Sequence, residues 1–96
     1  GVGIEAAWLL TLRAAAEDAS GVPADITATM AKLSSSWAAS EATHMGMELM
    51  GGAGFDTDLS MQRYFRDARL YVFGPLTNEM VANYLGERWL GLPRSF

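Results

Sequence analysis

Apolar residues recur along this chain at helical spacing, and no stretch shows the strict alternation of a half-buried strand. From Ile4 to Ala16 only Glu5, Thr11 and Arg13 are not apolar, and alanine and leucine, both strong helix formers, dominate. Ile4, Trp8, Leu12, Ala15 and Ala19 mark one face, widened by Leu9 and Ala16. So broad an apolar face predicts a helix buried against more than one neighbour. Ser20-Gly21 supplies a stop, and Pro23 suits the first position of the next helix. That helix is predicted from Pro23 to Met50, with Ile26, Met30, Leu33 and Trp37 as its inward stripe. Asp25, Lys32 and Ser36 fall on a different face, which is expected to meet solvent. Serine and alanine dominate between Ser34 and Thr43, so a close helix crossing is expected there. Gly51 follows the last turn, where a positive φ costs glycine nothing.

Asp56, Thr57 and Asp58 are turn and cap formers, and Asp58 is the expected N-cap of a third helix. Met61, Phe65, Ala68 and Val72 should point inward, while Arg63 and Asp67, spaced i and i+4, can pair for about 0.3 kcal/mol. Gly74-Pro75 ends this helix. Thr77 can cap a fourth, with Leu76 and Val81 at the positions of a hydrophobic staple. It should continue to about Leu90, with Gly91-Leu92-Pro93 closing it. The expected fold is all-α, an up-down bundle of about four helices forming a single domain over residues 1–96.

Composition adds a neighbour to this picture. Half of the 96 residues are hydrophobic, with three Trp and six Met, which is more apolar surface than a small monomer readily hides. A homo-oligomer, a partner subunit or the rest of a longer polypeptide is therefore expected to cover part of it. The net charge of −4 and the absence of a basic block argue against nucleic acid. With no cysteine and one histidine, disulfides, thiol catalysis and a metal cage built by this chain are not expected. Apolar runs are too short to span a membrane, and Gly1-Val2-Gly3 does not read as a signal peptide, so the expectation is a soluble, cytoplasmic chain.

Three groups of residues could carry chemistry. Gly51, Gly52 and Gly54 make a helix cap and a tight turn, or they let a dinucleotide phosphate or ribose approach the backbone. Thr77 and Glu79 open a helix, where a hydroxyl cap and an acidic first turn are ordinary but free N–H groups also suit an anionic cofactor. Arg66, Asp67 and Arg69 read as structural ion pairs, with an arginine–phosphate contact as the alternative. His44 has no serine or aspartate spaced as a relay and reads as a partly buried structural residue. The Trp and Met residues follow helical spacing and read as core.

The order Glu48-Leu49-Met50-Gly51-Gly52-Ala53-Gly54-Phe55, then Arg66-Asp67-Ala68-Arg69, then Thr77-Asn78-Glu79-Met80 resembles the carboxyl-terminal helical domain of the flavin-dependent acyl-CoA dehydrogenases. The resemblance implies that the glycine turn leans on the FAD of a neighbouring subunit, and that Thr77 and Glu79 contact the flavin dinucleotide. It makes Glu48, Gly51, Gly52, Thr77 and Glu79 the candidate cofactor-binding residues. Glu48 stands where the family usually has glutamine, and a carboxylate cannot donate to phosphate. Pro75 stands where many members carry the glutamate that removes the substrate's α-proton, so no catalytic residue is expected in this chain. The implied function is part of an oxidoreductase that desaturates an acyl-CoA thioester and passes electrons to an acceptor such as an electron-transfer flavoprotein. A base-less subunit, a flavin monooxygenase of the same superfamily and a helical interaction module are the alternatives.

Overall fold

A computed structural model describes residues 1–95, and its spine is one long helix. Four α-helices follow one another: α1 Val2–Ala19, α2 Asp25–Met50, α3 Met61–Phe73 and α4 Asn78–Arg88, with a 3-10 turn at Gly51–Phe55 between α2 and α3. No strand occurs among the described residues. The 26 residues of α2 extend for about 39 Å, and α1, α3 and α4 all pack on it.

Local chemistry sets each boundary. Gly21 takes φ +72° and the Val22 amide donates back to the Glu17 carbonyl at 2.9 Å, closing α1 as expected. Val22 thereby belongs to the end of α1, leaving Pro23 and Ala24 as connector, and α2 begins at Asp25 rather than at Pro23. Gly51, at φ +55°, ends α2 as its position predicts. Asp58 does not cap α3. Its amide instead donates to Asp56 Oδ1 at 2.9 Å in a side-chain-closed turn, and Ser60 occupies the cap position. Arg63 does not pair with Asp67; its guanidinium lies over the Tyr64 ring, 5.5 Å from the centroid. Thr77 caps α4 through its side chain. The helix stops at Arg88, two residues short of Leu90, where the Leu92 amide folds back onto the Gly86 carbonyl around Gly91 at φ +68°.

The core is built mainly from small side chains. Leu33 of α2 meets Val81 and Leu85 of α4, with Ile26 and Met30 packed against them, so three positions of the expected α2 stripe are filled. The fourth, Trp37, is 59 % exposed, because α4 is only 11 residues long and covers only part of α2. Ala7, Ala31 and Ala68 are the other buried apolar residues. Along α3, Met61, Phe65 and Val72 are half-buried and Ala68 buried, as their spacing predicts. The start of α3 crosses α2 closely at Gly46, where a Cβ would lie 2.6 Å from Met61 Sδ. Within this chain α1 packs chiefly on α2, and Ile4, Trp8, Leu9 and Leu12 are largely exposed, so the further neighbour that its broad apolar face predicts is not supplied by the other helices.

The face of α2 expected to meet solvent is the largest departure. Ser36 is 2 % exposed and Lys32 is half-buried, because the first turn of α4 docks on them. Asp25 remains exposed, and its carboxylate accepts the Tyr84 hydroxyl at 2.8 Å.

Candidate functional site

Two groups of residues singled out by sequence lie at opposite ends of the α2–α3 pair. Glu48 and Gly51 sit at the carboxyl end of α2, while Thr77 and Glu79 follow α3. Lys32, which touches the Thr77 segment, lies 16 residues before Glu48 on the same helix, or about 24 Å along its axis. One chain therefore does not bring the two groups together around a single atom.

At the glycine end, the 3-10 turn folds back on α2 because Gly54 is buried, with the place of a Cβ only 3.1 Å from Met47 Sδ. Gly54 is a packing glycine. Gly52 is exposed, and a Cβ there meets nothing within 4 Å, so its surface is open to an incoming group. A groove of about 630 Å³ lies beside the turn, floored by Met47, Phe55 and Phe65 and rimmed by His44, Glu48 and Arg66. His44 Nε2 and Glu48 Oε1 are 3.4 Å apart, both side chains well exposed, so His44 is a surface residue paired along its own helix rather than partly buried. Arg66 and Asp67 form no ion pair among the described residues, and Arg69 donates to Ser40 Oγ at 3.2 Å.

At the threonine end, Thr77 Oγ1 accepts the Met80 amide at 3.2 Å. A hydroxyl that accepts still has its own proton to donate. The amides of Asn78 and Glu79, in the first helical turn, have no acceptor within the helix and carry the positive end of its dipole. Beside this turn a groove of about 450 Å³ is lined by Lys32, Pro75, Leu76, Met80, Val81 and Tyr84 among others, with no carboxylate in its wall. Leu76 is 57 % exposed, so its side of the expected staple is only loosely covered, whereas Val81 is buried. Asp25 approaches the groove through Tyr84; the hydrogen bond from that phenol lowers the Asp25 carboxyl below the ordinary range, and the same bond raises Tyr84.

A polar knot under this turn was not legible in the sequence. Lys32 Nζ donates to the Leu76 carbonyl at 2.8 Å and to Asn78 Oδ1 at 2.6 Å. Ser36 Oγ lies 3.0 Å from both the Leu33 carbonyl and Asn78 Oδ1, two acceptors competing for one hydroxyl proton. Lysine has no acceptor, so the Asn78 atom facing it must be the oxygen. Asn78 Nδ2 is then a buried donor with no partner among the described residues. The residues of the knot lie 42 to 46 positions apart in sequence, beyond the reach of any local pattern.

Residues 1–90 match the family described as "Acyl-CoA dehydrogenase, C-terminal domain". The chain belongs to the acyl-CoA dehydrogenase family. Its sequence is 41 % identical over 69 residues to the mitochondrial short-chain specific acyl-CoA dehydrogenase of Bos taurus, covering 72 % of this chain and 17 % of that protein. The corresponding rat enzyme is 39 % identical over the same length. Acyl-CoA dehydrogenase FadE12 of Mycobacterium tuberculosis is 33 % identical over 97 residues, covering 99 % of this chain and 25 % of that protein. The chain thus spans between about a sixth and a quarter of the length of these curated relatives. The all-helical fold agrees with the C-terminal domain of the acyl-CoA dehydrogenases.

The donors at each end suit part of a flavin dinucleotide, while the carboxylates of Glu48 and Glu79 do not suit its phosphates. The Thr77 hydroxyl and the free α4 amides suit an anionic or carbonyl-bearing group, and Arg66 with the open Gly52 backbone suits a phosphate or ribose. Glu48 does not suit a phosphate, because its carboxylate only accepts hydrogen bonds and repels an anion.

Proposed function

We propose that this chain is the C-terminal helical portion of an FAD-dependent acyl-CoA dehydrogenase-like oxidoreductase, contributing flavin contacts and a subunit interface and catalytically silent by itself. The observation that carries this reading is the Thr77 cap, which uses the hydroxyl oxygen but not its proton and opens a helix whose first amides have no acceptor within it, between Leu76 and Met80 of an open groove. When bound, FAD supplies the hydride acceptor for removing two hydrogens across the α and β carbons of an acyl thioester. The separation of the two candidate groups along α2 supports a division of labour: the Thr77 end serves one flavin and the glycine turn serves the flavin of a neighbouring subunit. Gly52 lets backbone approach that dinucleotide, and Glu48 and Glu79 serve as acceptors for ribose hydroxyls or the adenine amine rather than as phosphate contacts. A homo-oligomer or a partner subunit covers the apolar face of α1, an electron-transfer flavoprotein is the electron acceptor, and the cytoplasm is the proposed compartment.

One observation favours a second reading within the same family. Pro75 has no ionisable group, and the groove beside it has no carboxylate in its wall. Asp25 is near, but its lowered pKa makes it a weak base at neutral pH. The α-proton must therefore be taken by a residue outside this chain, or the protein is a base-less subunit or a flavin monooxygenase. Anaerobic mixing of the full-length protein with straight-chain acyl-CoA thioesters separates these outcomes. Bleaching of the flavin absorbance is expected if a base is supplied from elsewhere. Bound flavin that never bleaches favours the base-less reading, and a full-length protein that binds no flavin favours a helical interaction module.

A further inference from the structure

We propose that Lys32 is a positioning residue for the Thr77 end of the flavin site, acting through the Leu76 carbonyl and the Asn78 side chain; this rests on the flavin reading above. Lys32 is the one link among the observed hydrogen bonds that grips both sides of Thr77, holding the residue before it by its carbonyl and the residue after it by its amide oxygen. Its ammonium has no carboxylate partner among the described residues, so these bonds are charge-assisted and carry its half-buried charge. Ser36, one helical turn further along α2, completes the grip by facing the same Asn78 oxygen at 3.0 Å. The grip fixes the direction in which the Thr77 hydroxyl projects, because the Met80 amide holds Thr77 Oγ1 while Lys32 holds the backbone on either side. It also works against the local field. A cation beside the positive N-terminus of α4 is unfavourable, and a positioning role offers a reason for an ammonium there. Lys32 touches no reacting atom in this account; its effect passes through Thr77.

The test is a double-mutant cycle on flavin binding by the full-length protein, with apoprotein melting curves recorded in parallel so that affinities refer to folded protein. K32M and T77V are each expected to weaken FAD binding about tenfold, the scale of one charge-assisted hydrogen bond. If Lys32 acts through Thr77, the K32M/T77V protein binds within about twofold of T77V alone. Should K32M fail to fold, K32Q takes its place in the cycle with the same coupling expected. An unchanged affinity in the Lys32 variant, or a double variant whose loss is the product of the two single losses, overturns the positioning role while leaving the flavin site intact. A wild-type protein that binds no flavin overturns the flavin reading itself, and the positioning role with it.

Discussion

Thr77 serves α4 and is proposed to serve the cofactor with different atoms of one hydroxyl group. Its oxygen caps the helix and its proton remains free, so substitutions should separate the two roles. T77S keeps both. T77V loses both, at about 1 kcal/mol of stability from the missing cap, read by chemical denaturation. The glycines divide in the same way. G54A forces a methyl group to within 3.1 Å of Met47 Sδ and against the Met47 backbone, and is expected to cost about 1–2 kcal/mol. G52A adds its methyl group to open space, so it should leave the melting temperature unchanged and weaken only flavin binding. The cap at Thr77 and the positive φ of Gly51 were legible in the sequence because caps depend on neighbours within a turn. The burial of Ser36 and Lys32 was not, because their shared partner Asn78 is 42 and 46 residues away and belongs to another helix.

At the scale of elements, α2 organises everything, and the contacts that tie α4 to it are polar as well as apolar. S36A leaves the Asn78 oxygen with Lys32 alone and should lower stability by about 1 kcal/mol, measured as a shift in denaturation midpoint at constant slope. The Asp25–Tyr84 bond gives the α2–α4 pair a pH dependence of known sign. The phenol lowers the Asp25 carboxyl, so that contribution is present above the ordinary carboxylate pKa near ~3.9 and is lost as pH falls through the lowered folded value. The carboxylate raises the phenol, so the Tyr84 contribution is present below about pH 10 and is lost as pH rises through the raised folded value. D25N, which removes the charge but keeps an acceptor, should flatten both flanks of a stability–pH curve by lowering the neutral plateau towards them. Element type and order were readable from apolar spacing and glycine–proline breaks. The start of α3 was not, because Asp56 uses its carboxylate to close a turn two residues before the cap.

The whole molecule is open. Its radius of gyration is 15.8 Å, against about 12–13 Å for a compact domain of this length. Trp8, Leu9, Leu49, Phe55 and Trp89 are each more than half exposed, and among the described residues no side chain larger than leucine is buried. The sequence showed both the excess of apolar surface and an α1 face broader than one neighbouring helix can cover. Covering that face is the task of a neighbour, so residues 1–96 alone are expected to self-associate in sedimentation experiments. A well-behaved monomer at high concentration would contradict this. No helix among the described residues is long and apolar enough to cross a membrane. The most direct test of the account is fluorescence titration of the full-length protein with FAD, alongside G52A and T77V. Saturable binding that each substitution weakens is the predicted result; binding that ignores both substitutions would place the flavin somewhere other than these two ends of α2.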